Sequence, residues 1–142
     1  MKTIEYLINE VNKIFKRNQN NECYYKIVPS LGNYYDWTLP PEYKRSLFSN
    51  TKPEWSKASD MYYLMIKFYE QVTGQRPEVN FQLNDRTVEK LIRRLDIDDK
   101  GRSAVEYLFV RCTCISGPKR IQNASEFINT EAFKLLKKHL EN

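Results

Sequence analysis

The feature that constrains the fold most is the apolar pattern between residues 55 and 72. Leu64, Ile66 and Phe68 widen this pattern around most of a helix, so other elements have to cover it. We predict a central helix that begins near Pro53 and ends at Gly74. Its main stripe recurs at steps of three and four residues, the period of an α-helix, at Trp55, Ala58, Met61, Tyr62, Met65, Tyr69 and Val72.

Four other segments have helical periodicity. Thr3 suits the N-cap of the segment that begins the chain, and Asn84 or Asp85 suits the N-cap of the segment that follows the central helix. Gly117-Pro118 is expected to stop the segment after that. These segments cover residues 3–15, 86–95, 102–116 and about 125–140.

Residues 22–50 differ in kind, because prolines and a glycine interrupt short aromatic and β-branched runs. "CYYKIV" and "NYYDWTL" are typical of two short strands, with "PSLGN" as the turn between them. We therefore expect a mainly α, single-domain protein spanning residues 1–142. It should have about five helices and a small β-hairpin, or an irregular aromatic-rich insertion, after the first.

Length and composition fit one ordinary globular domain. The chain has 142 residues, of which 41% are hydrophobic and 29% are charged. No apolar run approaches the roughly 20 residues that cross a bilayer, and charges interrupt the apolar N-terminus, unlike a signal peptide. An odd number of cysteines, three, favours free thiols. We expect a cytoplasmic protein with no membrane partner.

Residues 84–120 carry +3 of the formal net charge and include two predicted helices. The formal net charge is +5, and this segment has nine Lys and Arg residues against six acids. Cations on a rigid helical surface suit phosphate backbones, because each contact releases condensed counterions. The alternative is a solvated helix face balanced by Asp85, Glu89 and Glu106. The candidate nucleic-acid-binding residues are Arg86, Lys90, Arg93, Arg94, Arg111, Lys119 and Arg120.

Aromatic residues are concentrated in the insertion. Exposed Tyr and Trp side chains near lysines can stack single-stranded bases, and they are equally suited to anchor a protein partner. The alternative is that about half of them belong to the core. The candidate stacking or partner-binding residues are Tyr24, Tyr25, Tyr34, Tyr35 and Trp37.

The cysteines raise the question of a metal or redox site. Cys112 and Cys114 would point to different sides of a helix, since two residues turn it by about 200°. Cys23 and His139, the sole histidine, would complete a three-Cys, one-His zinc set, yet no C-x-x-C knuckle supports it. We interpret Cys112 as core and Cys114 as an exposed or half-buried thiol, and we predict no metal site.

No catalytic motif is recognisable. The four glycines are scattered, so they cannot form a phosphate-cradling loop, and His139 is interpreted as a solvated residue. Asp96, Asp98 and Asp99 would allow a metal-dependent nuclease; we prefer that they cap the following helix. We predict a non-enzymatic protein without a cofactor.

Two further patterns concern DNA. Residues 87–114 fit a helix-turn-helix loosely, although the connection is long and the second helix has mainly apolar residues where polar, base-reading ones would be needed. The pattern "W…YYLMIKFYEQVTGQRPEVNF…DRTVEKLIRRL…AVEYLFVRC" in residues 55–114 resembles helical modules of phage and plasmid replication-accessory proteins, associated with helicase loaders or initiators. The resemblance implies a role in mobile-element DNA metabolism, and without a Walker-type site it implies no ATPase.

The leading hypothesis is a non-enzymatic accessory protein of mobile-element origin. It would bind DNA, RNA or a nucleic-acid-bound protein complex through the basic helical surface. The alternative is a phage-encoded inhibitor or adaptor that acts on a host protein through the Tyr/Trp-rich insertion.

Overall fold

A computed structural model of the protein describes residues 2–25, 40–42, 55–75, 85–114 and 117–141. A 3-10 turn spans Gly117–Lys119, and no strand occurs within these ranges. The protein is therefore mainly α, as predicted. Six helices lie wholly within the described ranges: α1 (Lys2–Gln19), α2 (Lys57–Thr73), α3 (Asp85–Arg93), α4 (Asp99–Cys112), α5 (Ala124–Ile128) and α6 (Glu131–Glu141).

The helices share one hydrophobic core. Helix α1 packs on α2, α5 and α6, whereas α4 packs on α2, α3 and α6. Helix α2 is buried on most sides, with Met61, Leu64, Met65 and Phe68 fully inaccessible to solvent. This confirms the prediction that an all-round apolar helix is covered by its neighbours.

The ends of α2 follow from local capping. The helix begins at Lys57 because Ser56 and Ser59 form a reciprocal capping box, in which each side chain accepts from the other residue's backbone N–H. Gly74 ends it with φ +72°, a left-handed conformation that favours glycine. The predicted end is confirmed, while the start differs from the expected one near Pro53, which lies outside the described residues.

Helix α4 is shifted toward the N-terminus relative to the prediction. It begins at Asp99 because the Asp98 carboxylate accepts the Gly101 N–H at 2.8 Å, so the preferred capping role of the aspartates is confirmed. The helix ends at Cys112, before the expected Gly117-Pro118 stop. Thr113 occupies the C-cap, and its hydroxyl donates to the Phe109 carbonyl at 2.7 Å.

The predicted last helix is two helices, α5 and α6. Asn123 caps α5 by accepting the Glu126 N–H at 2.8 Å. Thr130 then interrupts the pattern, since its hydroxyl donates to the Phe127 carbonyl at 2.8 Å and accepts the Phe133 N–H at 3.1 Å. One threonine side chain thus ends the first helix and caps the second, which apolar periodicity alone does not reveal.

The predicted hairpin lies almost wholly outside the described residues. Cys23, Tyr24 and Tyr25, at the start of its first strand, have no strand conformation, and residues 26–39 are not described. Within the described ranges, none of the helices combines the length and apolarity needed to cross a membrane.

Candidate functional site

Helix α3 carries a basic face on the protein surface. Arg86, Lys90 and Arg93 recur at steps of four and three residues, which places them on one side of the helix. Arg94 follows directly, and all but the half-buried Lys90 are exposed. These four cations and Glu89 line a shallow surface depression of about 370 Å³. We call Arg86, Lys90, Arg93 and Arg94 the basic α3 face.

The charge of this face is largely unneutralised. Among the described residues, neither Arg86, Arg93 nor Arg94 forms an ion pair. The Lys90 ammonium donates to the side-chain oxygen of Gln75, which is neutral. The alternative of a face balanced by neighbouring acids therefore has no ion pair to support it in this part of the chain.

The buried side of α3 holds the basic face in place. Leu91 and Leu95 are almost fully buried in the core, and Val88 and Ile92 pack against it. Because the apolar and basic residues occupy opposite sides, burying one set presents the other to solvent. The cations thus project from a packed helix, as the sequence predicts.

Arg111 and Lys119 lie apart from the basic α3 face along the chain. Lys119 is exposed in the 3-10 turn. Arg111 is half-buried in the last turn of α4, and its buried Nε has no hydrogen-bond partner among the described residues. Lys119 is thus accessible to a ligand, whereas Arg111 is only partly accessible.

Arg120 is not a surface residue, which corrects its predicted place in the basic set. Only 1% of it is exposed. Its guanidinium donates to the Glu42 carboxylate at 2.6 Å and 3.0 Å, to the Cys114 carbonyl at 3.1 Å and 2.8 Å, and to the Ala58 carbonyl at 3.3 Å. These contacts use all five guanidinium N–H donors, as a buried arginine requires.

The surroundings of Arg120 match its charge. Its guanidinium lies 5.1 Å from the centroid of the Tyr62 ring, within cation–π range. Burial alone would raise the pKa of Glu42, but the hydrogen bonds and charge of Arg120 outweigh it and lower this pKa. Burial also raises the pKa of Tyr62 to about 12. Glu42 is thus the half-buried counter-ion of the buried Arg120, and the pair joins two distant segments to α2.

Sequence reasoning missed this pair because nothing local marks it. Arg120 adjoins Lys119 in an apparently basic turn, whereas Glu42 lies 78 positions earlier beside a double proline. A basic doublet reads as surface charge unless the distant carboxylate is known. Only the folded structure brings Arg120 and Glu42 together, so no local sequence pattern identifies the pair.

Tyr24 and Tyr25 are held by a buried carboxylate. Asp60, in the first turn of α2, accepts the N–H of Tyr24 at 2.6 Å, the N–H of Tyr25 at 3.1 Å and the Trp55 indole N–H at 2.7 Å. Burial raises the pKa of Asp60, although these three hydrogen bonds oppose the shift. Asp60 therefore fixes the chain that enters the aromatic insertion, a role that nothing in its neighbouring sequence suggests.

The ring of Tyr25 is already engaged within the protein. Its hydroxyl donates to Glu10 at 3.2 Å, and its ring packs edge-on against Tyr63 with 5.0 Å between centroids. Tyr24 and Tyr25 both pack against the core, which agrees with the alternative interpretation and not with their predicted role as exposed binding residues. Tyr34, Tyr35 and Trp37 lie outside the described residues, so their binding role stays a prediction.

The cysteines and the histidine have structural partners. Cys112 is fully buried, and burial raises the pKa of its thiol. Cys114 is half-buried, and its thiol donates to the Val110 carbonyl at 3.1 Å. Both positions agree with the prediction. His139 is half-buried rather than fully solvated, with Nε2 lying 3.3 Å from Asp98, so it touches the cap of α4.

Comparison of the chain with known protein families, with curated proteins and with solved structures finds no match. Function therefore has to be argued from the residues themselves.

Proposed function

We propose that the protein binds nucleic acid, or a nucleic-acid-bound protein complex, through the basic α3 face. The observation that carries this proposal is the set of four neighbouring cations with one acid, Glu89, among them. Among the described residues, its three arginines have no ion-pair partner. Their charge is therefore available to phosphate oxygens.

The spacing of these cations suits a polyanion. Arg93 lies seven positions after Arg86, which corresponds to roughly 10 Å along a helix. Duplex DNA has one negative charge per roughly 1.7 Å of its axis, so a face of this length meets several phosphates. Contacts of this kind fix the position of a protein on the backbone and read no bases. We therefore propose binding that depends strongly on salt and weakly on sequence.

The structure changes which of the other predicted cations belong to the proposed binding surface. Lys119 remains a candidate contact, whereas Arg120 is left out because its donors are used inside the protein. The proposal also does not require a helix-turn-helix.

The biological setting is part of the proposal. The resemblance of residues 55–114 to phage and plasmid replication-accessory modules supports a non-enzymatic, cytoplasmic role beside mobile-element DNA. The rival, an adaptor or inhibitor that binds a host protein through Tyr34, Tyr35 and Trp37, stays a prediction. Pulldown from a host lysate with and without nuclease treatment separates the two, because nuclease removes only partners held through nucleic acid.

The direct test is a fluorescence anisotropy titration of labelled single-stranded DNA, duplex DNA and RNA at low salt. Arg86→Glu combined with Arg94→Glu should weaken binding at least tenfold, because both residues are exposed and each loses a phosphate contact. Arg93 is left intact in this variant.

The matched control is Lys137→Glu combined with Lys138→Glu, two exposed cations on α6. Both double variants lower the net charge by the same four units, so a purely non-local charge effect would weaken binding equally. The proposal is rejected if the wild-type protein binds no oligonucleotide at low salt, or if the two variants bind alike.

A further inference from the structure

Tyr107, on the outer side of α4, differs from every other aromatic residue in the described ranges. It is 48% exposed, whereas all the other aromatic rings of these ranges are buried or half-buried. Within the same ranges its hydroxyl has no hydrogen-bond partner, and its ring belongs to no aromatic or cation–π pair. The ring is therefore open to a ligand from outside the protein.

Tyr107 lies next to the basic α3 face. Glu106, which precedes it, and Val110, one turn further on, line a surface depression together with Arg93 of α3. Arg93 also lines the depression of the basic α3 face, so the two surfaces are continuous. Helices α3 and α4 pack on each other, and packed helices have axes roughly 8–10 Å apart. A ligand that lies on the cations of α3 is thus close enough to reach the ring on α4.

The charges along this path differ between the two helices. The phosphate-binding cations are all on α3, whereas Glu89 and Glu106 line the depression that leads toward Tyr107. Carboxylates repel phosphates but accept hydrogen bonds from the amino groups of nucleobases. A strand of nucleic acid should therefore lie with its phosphates over α3 and its uncharged bases over α4. This order separates the backbone from the bases of a single strand.

We propose that the basic α3 face and Tyr107 together form a site for single-stranded nucleic acid. The cations of α3 would hold the backbone, and the Tyr107 ring would stack on an unpaired base. A cationic surface beside an exposed aromatic ring is the combination that such proteins use, and stacking of this kind tolerates any base. A duplex keeps its base faces inside the stack, so it offers the ring no such contact. The inference rests on the proposed function and specifies its substrate class.

The test is a fluorescence anisotropy titration of the full chain with labelled oligothymidine, which forms no internal pairs, and with the same strand paired to oligoadenine. The wild-type protein should bind the single strand more tightly. Tyr107→Ala should weaken single-strand binding about tenfold and leave duplex binding unchanged, since it removes one stacking contact. Alanine suits an exposed helix position, and unchanged duplex binding shows that the basic α3 face is intact.

Tyr107→Phe is the matched control, because it retains the ring and loses only the hydroxyl. It should bind the single strand as the wild-type protein does. The inference is overturned if the wild-type protein does not prefer the single strand, if Tyr107→Ala retains full single-strand affinity, or if Tyr107→Phe is as weak as Tyr107→Ala. Each of these results leaves the proposed function standing, because the protein still binds nucleic acid. A protein that binds neither form overturns both proposals.

Discussion

Arg120 and Glu42 form a two-point ion pair across 78 positions of the chain, and the Arg120 side chain is inaccessible to solvent. The guanidinium also contacts the carbonyls of Cys114 and Ala58, so it links the turn after α4 to the start of α2. A cation placed in this way stabilises the fold and is withdrawn from any external ligand.

Loss of Arg120 should therefore destabilise the protein strongly. Arg120→Met retains much of the volume but leaves the Glu42 carboxylate and two carbonyls without their donor. We expect a loss of about 3 kcal/mol in the free energy of unfolding, the lower end for a broken buried pair, since the Glu42 side chain is 30% exposed. Urea unfolding monitored by circular dichroism measures it.

The neighbouring Lys119→Met is the control for this change. Lys119 is exposed, so its loss should alter the free energy of unfolding by no more than about 0.5 kcal/mol. Combining Arg120→Met with Glu42→Gln should cost clearly less than the sum of the two single changes, because they disrupt one interaction. Strict additivity would show that the two residues are not coupled.

The same pair predicts a pH dependence. Arg120 lowers the folded-state pKa of Glu42 below its ordinary value of 4.5, despite burial. The resulting stability is complete above about pH 4.5 and is lost as the pH falls through the folded-state value. The difference in unfolding free energy between wild type and Glu42→Gln should therefore narrow below this pH. The raised pKa of Asp60 is common to both proteins and cancels in the comparison. A difference that stays constant with pH would contradict this account of Glu42.

Asp60→Asn tests the anchor of the aromatic insertion. Three donors converge on the two carboxylate oxygens, so the amide NH₂ of asparagine must face at least one of them. The unmade hydrogen bond should cost about 1–3 kcal/mol in the free energy of unfolding. Asp96→Asn, at an exposed position, is the matched control and should be near neutral. Equal stability of the two variants would show that Asp60 does not hold Tyr24 and Tyr25.

The helices were largely predictable, because each buries an apolar stripe of helical period. The glycine stop of α2 and the aspartate cap of α4 are likewise local signals, readable from Gly74 and Asp98. The break at Thr130 was not predicted, since apolar residues continue in phase on both sides of it. A side chain that caps one helix and ends another is not distinguished by periodicity.

Residues of the candidate site were predictable only where the pattern of a single helix determines which side chains are exposed. Arg86, Lys90, Arg93 and Arg94 share a face that the sequence alone defines, because Leu91 and Leu95 define the buried side. Arg120 and Asp60 could not be placed in this way. Their positions depend on Glu42 and on Tyr24 and Tyr25, which are distant in sequence and meet them only in the folded protein.

The most direct test of the account is the salt dependence of nucleic-acid binding. Arg86→Gln combined with Arg94→Gln removes two proposed phosphate contacts without adding negative charge. A plot of the logarithm of the binding constant against the logarithm of salt concentration has a negative slope. The magnitude of this slope should decrease by about two in the variant. Lys137→Gln combined with Lys138→Gln should retain the wild-type slope. Equal slopes for all three proteins would contradict the claim that the basic α3 face contacts the phosphate backbone.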